Sequence, residues 1–170
     1  VAYVKKILDG ENIVADSGDL YIYNFADKTN VKIAENVAGG GMKYNNSTIA
    51  LAADGSYVAY GKFPDEQIVF SDMDLYICDA KGEKEQCIAK SEAYPVAVSS
   101  GGKYVYYEKN QKFFIHTDKE DKKLDSGISQ IRAIFNEEQT EVIFSGSDKT
   151  YWYNVKEDLP VKLADSPLKD

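Results

Sequence analysis

One histidine, one arginine and two cysteines are all that 170 residues offer of the side chains most used for proton transfer, phosphate grip and covalent bracing. With His116 as the sole imidazole, a histidine-based metal site would need carboxylates to complete it. No apolar run approaches the ~18 residues of a membrane-spanning helix, and no secretory leader opens the chain. A soluble region without membrane insertion is therefore expected. Positive charge is also short, with 28 acidic against 20 basic residues and a formal charge of -8. Duplex binding requires a basic face that replaces counterions, so nucleic acid is not an expected partner.

Catalytic and cofactor motifs are missing as well. Ser145-Gly146-Ser147 does not complete Gly-x-Ser-x-Gly, and it joins two strand-like segments rather than a strand and a helix. Gly39-Gly40-Gly41 has no following Lys-Ser/Thr and reads as a flexible link, not a phosphate loop. Asp72, Asp74 and Asp79, or Asp16 with Asp19, could gather oxygens for calcium, but neither set has the Asp-x-Asp-x-Asp-Gly spacing. Carboxylates at turns ordinarily hydrogen-bond nearby backbone. The expectation is a chain with no catalytic residue, no metal and no cofactor.

Aromatic residues are abundant by contrast: thirteen Tyr and seven Phe. They fall mostly in short segments bounded by turn residues, where aromatic side chains suit a pleated, half-buried surface. Stacking the chain on its Asp-Gly and Gly-Gly turns yields four similar units. Unit one holds Val1–Leu8, Asn12–Ala15, Leu20–Tyr23 and Val31–Ala34. Unit two holds Thr48–Ala52, Tyr57–Tyr60, Leu75–Cys78 and Gln86–Ala89. Pro95–Ser99, Tyr104–Tyr107, Phe113–His116 and Lys122–Leu124 make the third, and Ile131–Phe135, Glu141–Phe144, Tyr151–Asn154 and Val161–Ala164 the fourth. The blades run at about 1–36, 47–91, 94–126 and 130–165.

Apolar columns connect these units. Ile13, Val58, Val105 and Val142 share a second-strand position; Ile22, Ile77, Ile115 and Tyr153 a third-strand position; Ile33, Ile88, Leu124 and Leu163 a fourth. Tyr23, Cys78, His116 and Asn154 form a neighbouring column with no common chemistry. No sustained 3.6-residue period occurs, so very little helix is expected. Four-stranded units of about 40 residues are the sequence mark of a β-propeller. The fold class is thus all-β: four four-stranded antiparallel blades, either a whole propeller or part of a larger ring. First strands rich in small residues, such as Ile49-Ala50-Leu51-Ala52, suit the crowded axis. The links Val37–Asn46 and Lys62–Met73 are the longest loops, and loops on rigid frames are where binding resides.

The run Asp54-Gly55-Ser56-Tyr57-Val58-Ala59-Tyr60, followed by Asp74-Leu75-Tyr76-Ile77-Cys78-Asp79-Ala80-Lys81-Gly82, resembles the WD-like repeat of bacterial TolB-type propellers. Similar repeats occur in the propellers of prolyl-oligopeptidase-like peptidases. Unit one keeps Asp19-Leu20-Tyr21-Ile22 and unit three keeps Gly102-Lys103-Tyr104-Val105. The residue before each turn departs from the family's usual Pro. The resemblance implies a fold rather than an activity, since propellers carry many functions.

Four residues remain to be placed. Cys78 and Cys87 flank the turn Asp79–Gln86 and could form a cross-strand disulfide, or stand as two independent small apolar residues. His116 occupies a slot held elsewhere by Tyr, Cys and Asn, which favours an ordinary strand residue over a general base. Arg132 lies on the first strand of unit four, bordering the expected channel. Its guanidinium could grip a carboxylate or phosphate of a ligand, or pair with a neighbouring Asp or Glu. The functional expectation is a non-catalytic scaffold binding a protein, peptide or glycan through its loops or channel mouth. It would be extracytoplasmic in a bacterial envelope or secreted, with self-association as one way to complete the ring. The alternative is the gating propeller of a prolyl-oligopeptidase-like hydrolase whose catalytic domain lies outside this chain.

Overall fold

A computed structural model describes residues 1–9, 12–39, 47–64, 72–110, 112–126, 134–136, 141–145, 149–157 and 159–166. Among them helix is limited to a 3-10 turn at Ser100–Gly102 and the single 3-10 residue Asp72. Everything else regular is antiparallel strand. β1 (Ala2–Asp9), β2 (Asn12–Asn24) and β3 (Thr29–Ala38) form a meander. β4 (Ile49–Leu51), β5 (Tyr57–Lys62), β6 (Asp74–Asp79) and β7 (Gln86–Ala89) form a second, four-stranded unit. The Val37–Lys62 pair joins it to the meander, so that β1–β7 are hydrogen-bonded as one seven-stranded sheet whose two parts are called the first and second sheets. It is followed by a sheet of β8 (Ala93–Val98), β9 (Val105–Lys109), β10 (Lys112–His116) and β11 (Asp121–Ser126). β12 (Ile134–Phe135), β13 (Glu141–Ser145), β14 (Thr150–Asn154) and β15 (Leu159–Ala164) make the last.

The sheets stack face on face, and three apolar layers fill the gaps. Leu20, Ile22, Ala34 and Val37 of the first sheet meet Val58, Tyr60 and Cys78 of the second. Ala59, Leu75, Ile77 and Ile88 of the second meet Val98, Val105 and Tyr107 of the third. Tyr106, Phe113 and Ile115 of the third meet Val142 and Tyr153 of the fourth. Each strand in the middle of this stack feeds two layers, because alternate side chains point to opposite faces. On β9, Val105 and Tyr107 look back while Tyr106 looks forward. Burying one such side chain stabilises the fold by about 1.5–3 kcal/mol. Alanines at Ala50, Ala59 and Ala93 let β4 and β5 of the second sheet approach β8 of the third closely. This is propeller packing, and the described strands do not close it into a ring.

The first sheet departs from the expected four short strands. Asn12–Ala15 and Leu20–Tyr23 are one continuous strand, β2. The intervening Asp16-Ser17-Gly18-Asp19 has the composition of a turn, but Gly18 serves a different purpose. A β-carbon there would stand 2.3 Å from the Lys5 carbonyl oxygen, so the glycine permits close approach of β1 where the ladder shifts register.

A second departure concerns register. Val58 pairs with Cys78, Val105 with His116, and Val142 with Tyr153. Tyr153 is therefore the counterpart of Cys78 and His116, and Trp152, opposite Ile143, is the counterpart of Ile77 and Ile115. The aromatic run Tyr151-Trp152-Tyr153 shows no alternation, so pattern alone could not choose between registers one residue apart.

β3 and β4 lie end to end along β5. Val37 pairs with Lys62 and Ile49 with Tyr60, in the same direction. The Thr48 hydroxyl closes the junction by donating to the Ala38 carbonyl at 2.7 Å. β3 and β4 thus make a single line of strand along β5, clasped where Ala38 meets Thr48.

Candidate functional site

The turns β8–β9, β10–β11 and β14–β15 gather at one end of the stack and open a cleft of about 480 Å³ between the third and fourth sheets. Its size is in the range of small-ligand pockets. Local backbone chemistry sets the walls. The Asn154 side-chain carbonyl accepts from Lys156 N at 2.9 Å, fixing the turn that carries Lys156. The Thr117 hydroxyl accepts from Lys119 N and Glu120 N at 3.2 Å, tightening the turn that carries Lys119.

Lys103, Lys119, Lys122 and Lys156 line this cleft, against Asp118 and Glu120. Cations thus outnumber anions locally in a chain whose net charge is -8. The floor is aromatic. Tyr104 and Tyr153 are almost fully buried, and the Lys122 ammonium sits 5.6 Å from the centroid of the Tyr153 ring. Lys103 stands 5.2 Å from the Tyr104 ring. Its hydrogen bond to Tyr104, with Asp118 further off, holds the Lys103 ammonium above its ordinary pKa. The arrangement presents positive charge over an apolar floor, which suits an anionic, partly apolar ligand.

An equivalent cleft of about 500 Å³ opens between the first and second sheets at the same end. Its carboxylates are already engaged. Asp27 accepts from Thr29 N and the Thr29 hydroxyl. Asp54 accepts from Ser56 N, the Ser56 hydroxyl and Gly101 N. These bonds pull both carboxyls below the usual carboxylate range, the Thr29 and Ser56 hydroxyls contributing most. Between the second and third sheets the same position is closed by Gly101 and Gly102 packing on Ser56 and Tyr57.

The residues singled out in the sequence do not converge on one place. His116 is a strand residue whose Nδ1 lies 2.6 Å from Asp121 Oδ1. It belongs to the face turned toward the second sheet, not to the lysine-lined cleft. The bridge considered for Cys78 and Cys87 is not formed, and both thiols are free. Cys87 pairs with Tyr76, which sets Cys78 diagonally across the ladder. Such diagonals stand about 7–8 Å apart, against about 3.8 Å between the β-carbons of a disulfide. Burial pushes the Cys78 thiol up to about 12, and burial with Asp74 nearby raises Cys87. Arg132 lies outside the described residues, as does much of the links Val37–Asn46 and Lys62–Met73.

The lysine cleft was hidden in the sequence because its cations come from separate turns. The one available signal was Asp118–Lys123, which reads on its own as a solvated hairpin tip. Only the stacking of the third sheet on the fourth brings Lys156 to the same place.

No family model matches the chain, and no curated protein matches it. Solved structures do. A TolB-type protein of Agrobacterium tumefaciens matches with a TM-score of 0.56 at 15% identity, over 87% of this chain and 55% of that one. A chain of the mitotic checkpoint complex matches with a TM-score of 0.55 at 12% identity, over 86% of this chain and 45% of that one. The tricorn protease matches with a TM-score of 0.55 at 10% identity, over 97% of this chain and 21% of that one. The chain therefore resembles TolB-type and WD-like propellers. It spans about half the length of the first two chains.

Proposed function

We propose that this chain is a non-catalytic propeller scaffold that binds an acidic stretch of a protein or peptide partner. The site is the cleft between the β8–β11 and β12–β15 sheets. The observation that carries this reading is the excess of lysine over carboxylate around Tyr104 and Tyr153. Lys103 and Lys122 would pair with the partner's carboxylates while the tyrosine floor receives its apolar parts. Because Lys103 and Lys156 are exposed side chains at the rim of an open cleft, screening should weaken the contact as ionic strength rises. An extracytoplasmic address, expected from the TolB-type resemblance, belongs to the same proposal.

Fluorescence anisotropy with a labelled oligoglutamate peptide carrying one tryptophan tests it. Binding should weaken with salt, fall at least tenfold in Lys122→Glu with Lys156→Glu, and be unchanged in Lys81→Glu at the other cleft. An uncharged peptide binding equally well, or the double variant binding as before, would refute the assignment.

A second reading, the gating domain of a hydrolase, draws on the likeness to the tricorn protease over almost the whole chain. Stable capture of a hydrolase domain by the purified chain, with altered peptide-size selectivity, would favour it.

A further inference from the structure

The large apolar side chains left exposed among the described residues all belong to the first or the last sheet. Tyr3 lies on β1, and Val161 and Leu163 on β15, while Val1 and Phe25 rim the cleft between the first and second sheets. None belongs to the two middle sheets. On β2, Leu20 and Ile22 face the second sheet, which turns Tyr21 outward to stack on Tyr3 at 5.6 Å between ring centroids. At the other end, Ile143, Trp152 and Val161 form one cross-strand row. This row is the register counterpart of Ala59–Ile77 in the second sheet and Tyr106–Ile115 in the third. Those inner rows are at most 7% exposed, covered by the next sheet, whereas Val161 is 37% and Leu163 54% exposed.

We infer that a second copy of this chain covers both outer faces at once. The last sheet of each copy packs on the first sheet of the other, and the two contacts close one ring around a two-fold axis through its centre. Three observations converge. The outer rows occupy the positions that make the internal sheet-on-sheet layers, so the contact continues an interface the molecule already uses three times. The two faces differ, one built on the Tyr3–Tyr21 stack and the other on Trp152 and aliphatic side chains, which suits head-to-tail rather than like-to-like docking. The matched part of the chain spans 55% and 45% of two propeller chains, which leaves room in a ring of that kind for a second copy. Head-to-tail contacts that did not close would run on into open chains, and a ring of two ends the series.

The test is sedimentation of the 170-residue chain across a wide concentration range, alone and with substituted faces. Wild type should reach twice the chain mass and stop there. Val161→Glu with Leu163→Glu should sediment as a single chain with unchanged circular dichroism, and so should Tyr3→Glu. Mixing the two variants should restore the two-copy species, since each retains the face the other lacks. Wild type staying at single-chain mass throughout, growing beyond two copies, or either variant pairing with itself would overturn the inference. Loss of peptide binding at the lysine cleft would leave this result untouched.

Discussion

Gly102 lies flat against the ring of Tyr57, so close that a β-carbon on Gly102 would stand 2.4 Å from Tyr57 Cγ. The contact joins the β8–β9 turn of the third sheet to the start of β5 in the second. Gly102 also holds φ at +69°, which other residues adopt at a cost of about 1–2 kcal/mol. Gly102→Ala should therefore destabilise by about 2 kcal/mol or more, as strain and overpacking add. In a Tyr57→Ala background the same substitution should cost only the backbone part. Denaturant titration of the four species measures the difference, and equal costs in both backgrounds would show that the ring is not the obstacle.

The Tyr60 hydroxyl donates to Glu85 Oε1 at 2.5 Å, and Lys62 approaches the same carboxylate at 3.3 Å. Tyr60 is fully buried, and its phenol is pushed well above its ordinary pKa, first by burial and then by Glu85. Tyr60→Phe should cost about 1–2 kcal/mol. Glu85→Gln, which keeps an acceptor, should cost less. Thermal unfolding of both variants ranks them, and the reverse order would sink this account.

Glu108 is half-buried on β9, and desolvation, with Glu92 nearby, raises its carboxyl above the usual range. A carboxyl raised on folding binds its proton more tightly in the native state. Its favourable contribution is complete below the unfolded carboxylate pKa and is lost as pH rises through the folded value. Glu108→Gln should thus melt higher than wild type at neutral pH, with the gap closing as pH falls through the carboxylate range. A gap that stayed constant with pH would count against the assignment.

Both thiols are protonated at neutral pH, and Cys78 is fully buried while Cys87 is only half-buried. Because the thiolate is the reactive form, alkylation near pH 8 should be slow and take Cys87 first. Cys78 should react only on unfolding. Mass spectrometry of a timed iodoacetamide reaction shows the order, and an unreactive pair that gains two labels only after reduction would reveal a bridge instead.

Much of the stacking was legible because apolar columns recur once per unit. Val58, Val105 and Val142 all face the preceding sheet and are fully buried. Ile22, Ile77 and Ile115 all face the following one. Legibility failed where composition carried two meanings. Gly18 has the look of a turn residue yet sits mid-strand for the sake of β1. Three consecutive aromatics concealed a one-residue register step at Trp152. Cys78 and Cys87 are near in sequence and share a face, but one pleat separates them. The lysine cleft could not be read at all, because Lys103, Lys122 and Lys156 are spread along the chain and meet only through packing.

The junction between β3 and β4 has a corollary for how this molecule can be altered. Ala38 and Thr48 are clasped together, so the backbone leaves the ladder and rejoins it at nearly one point. The strand order does not sense how long the detour is, and doubling such a tether costs only about 0.6 kcal/mol. The junction between Ala38 and Thr48 is therefore a natural splice point, where an additional module could be carried as cargo while the sheet zips shut behind it.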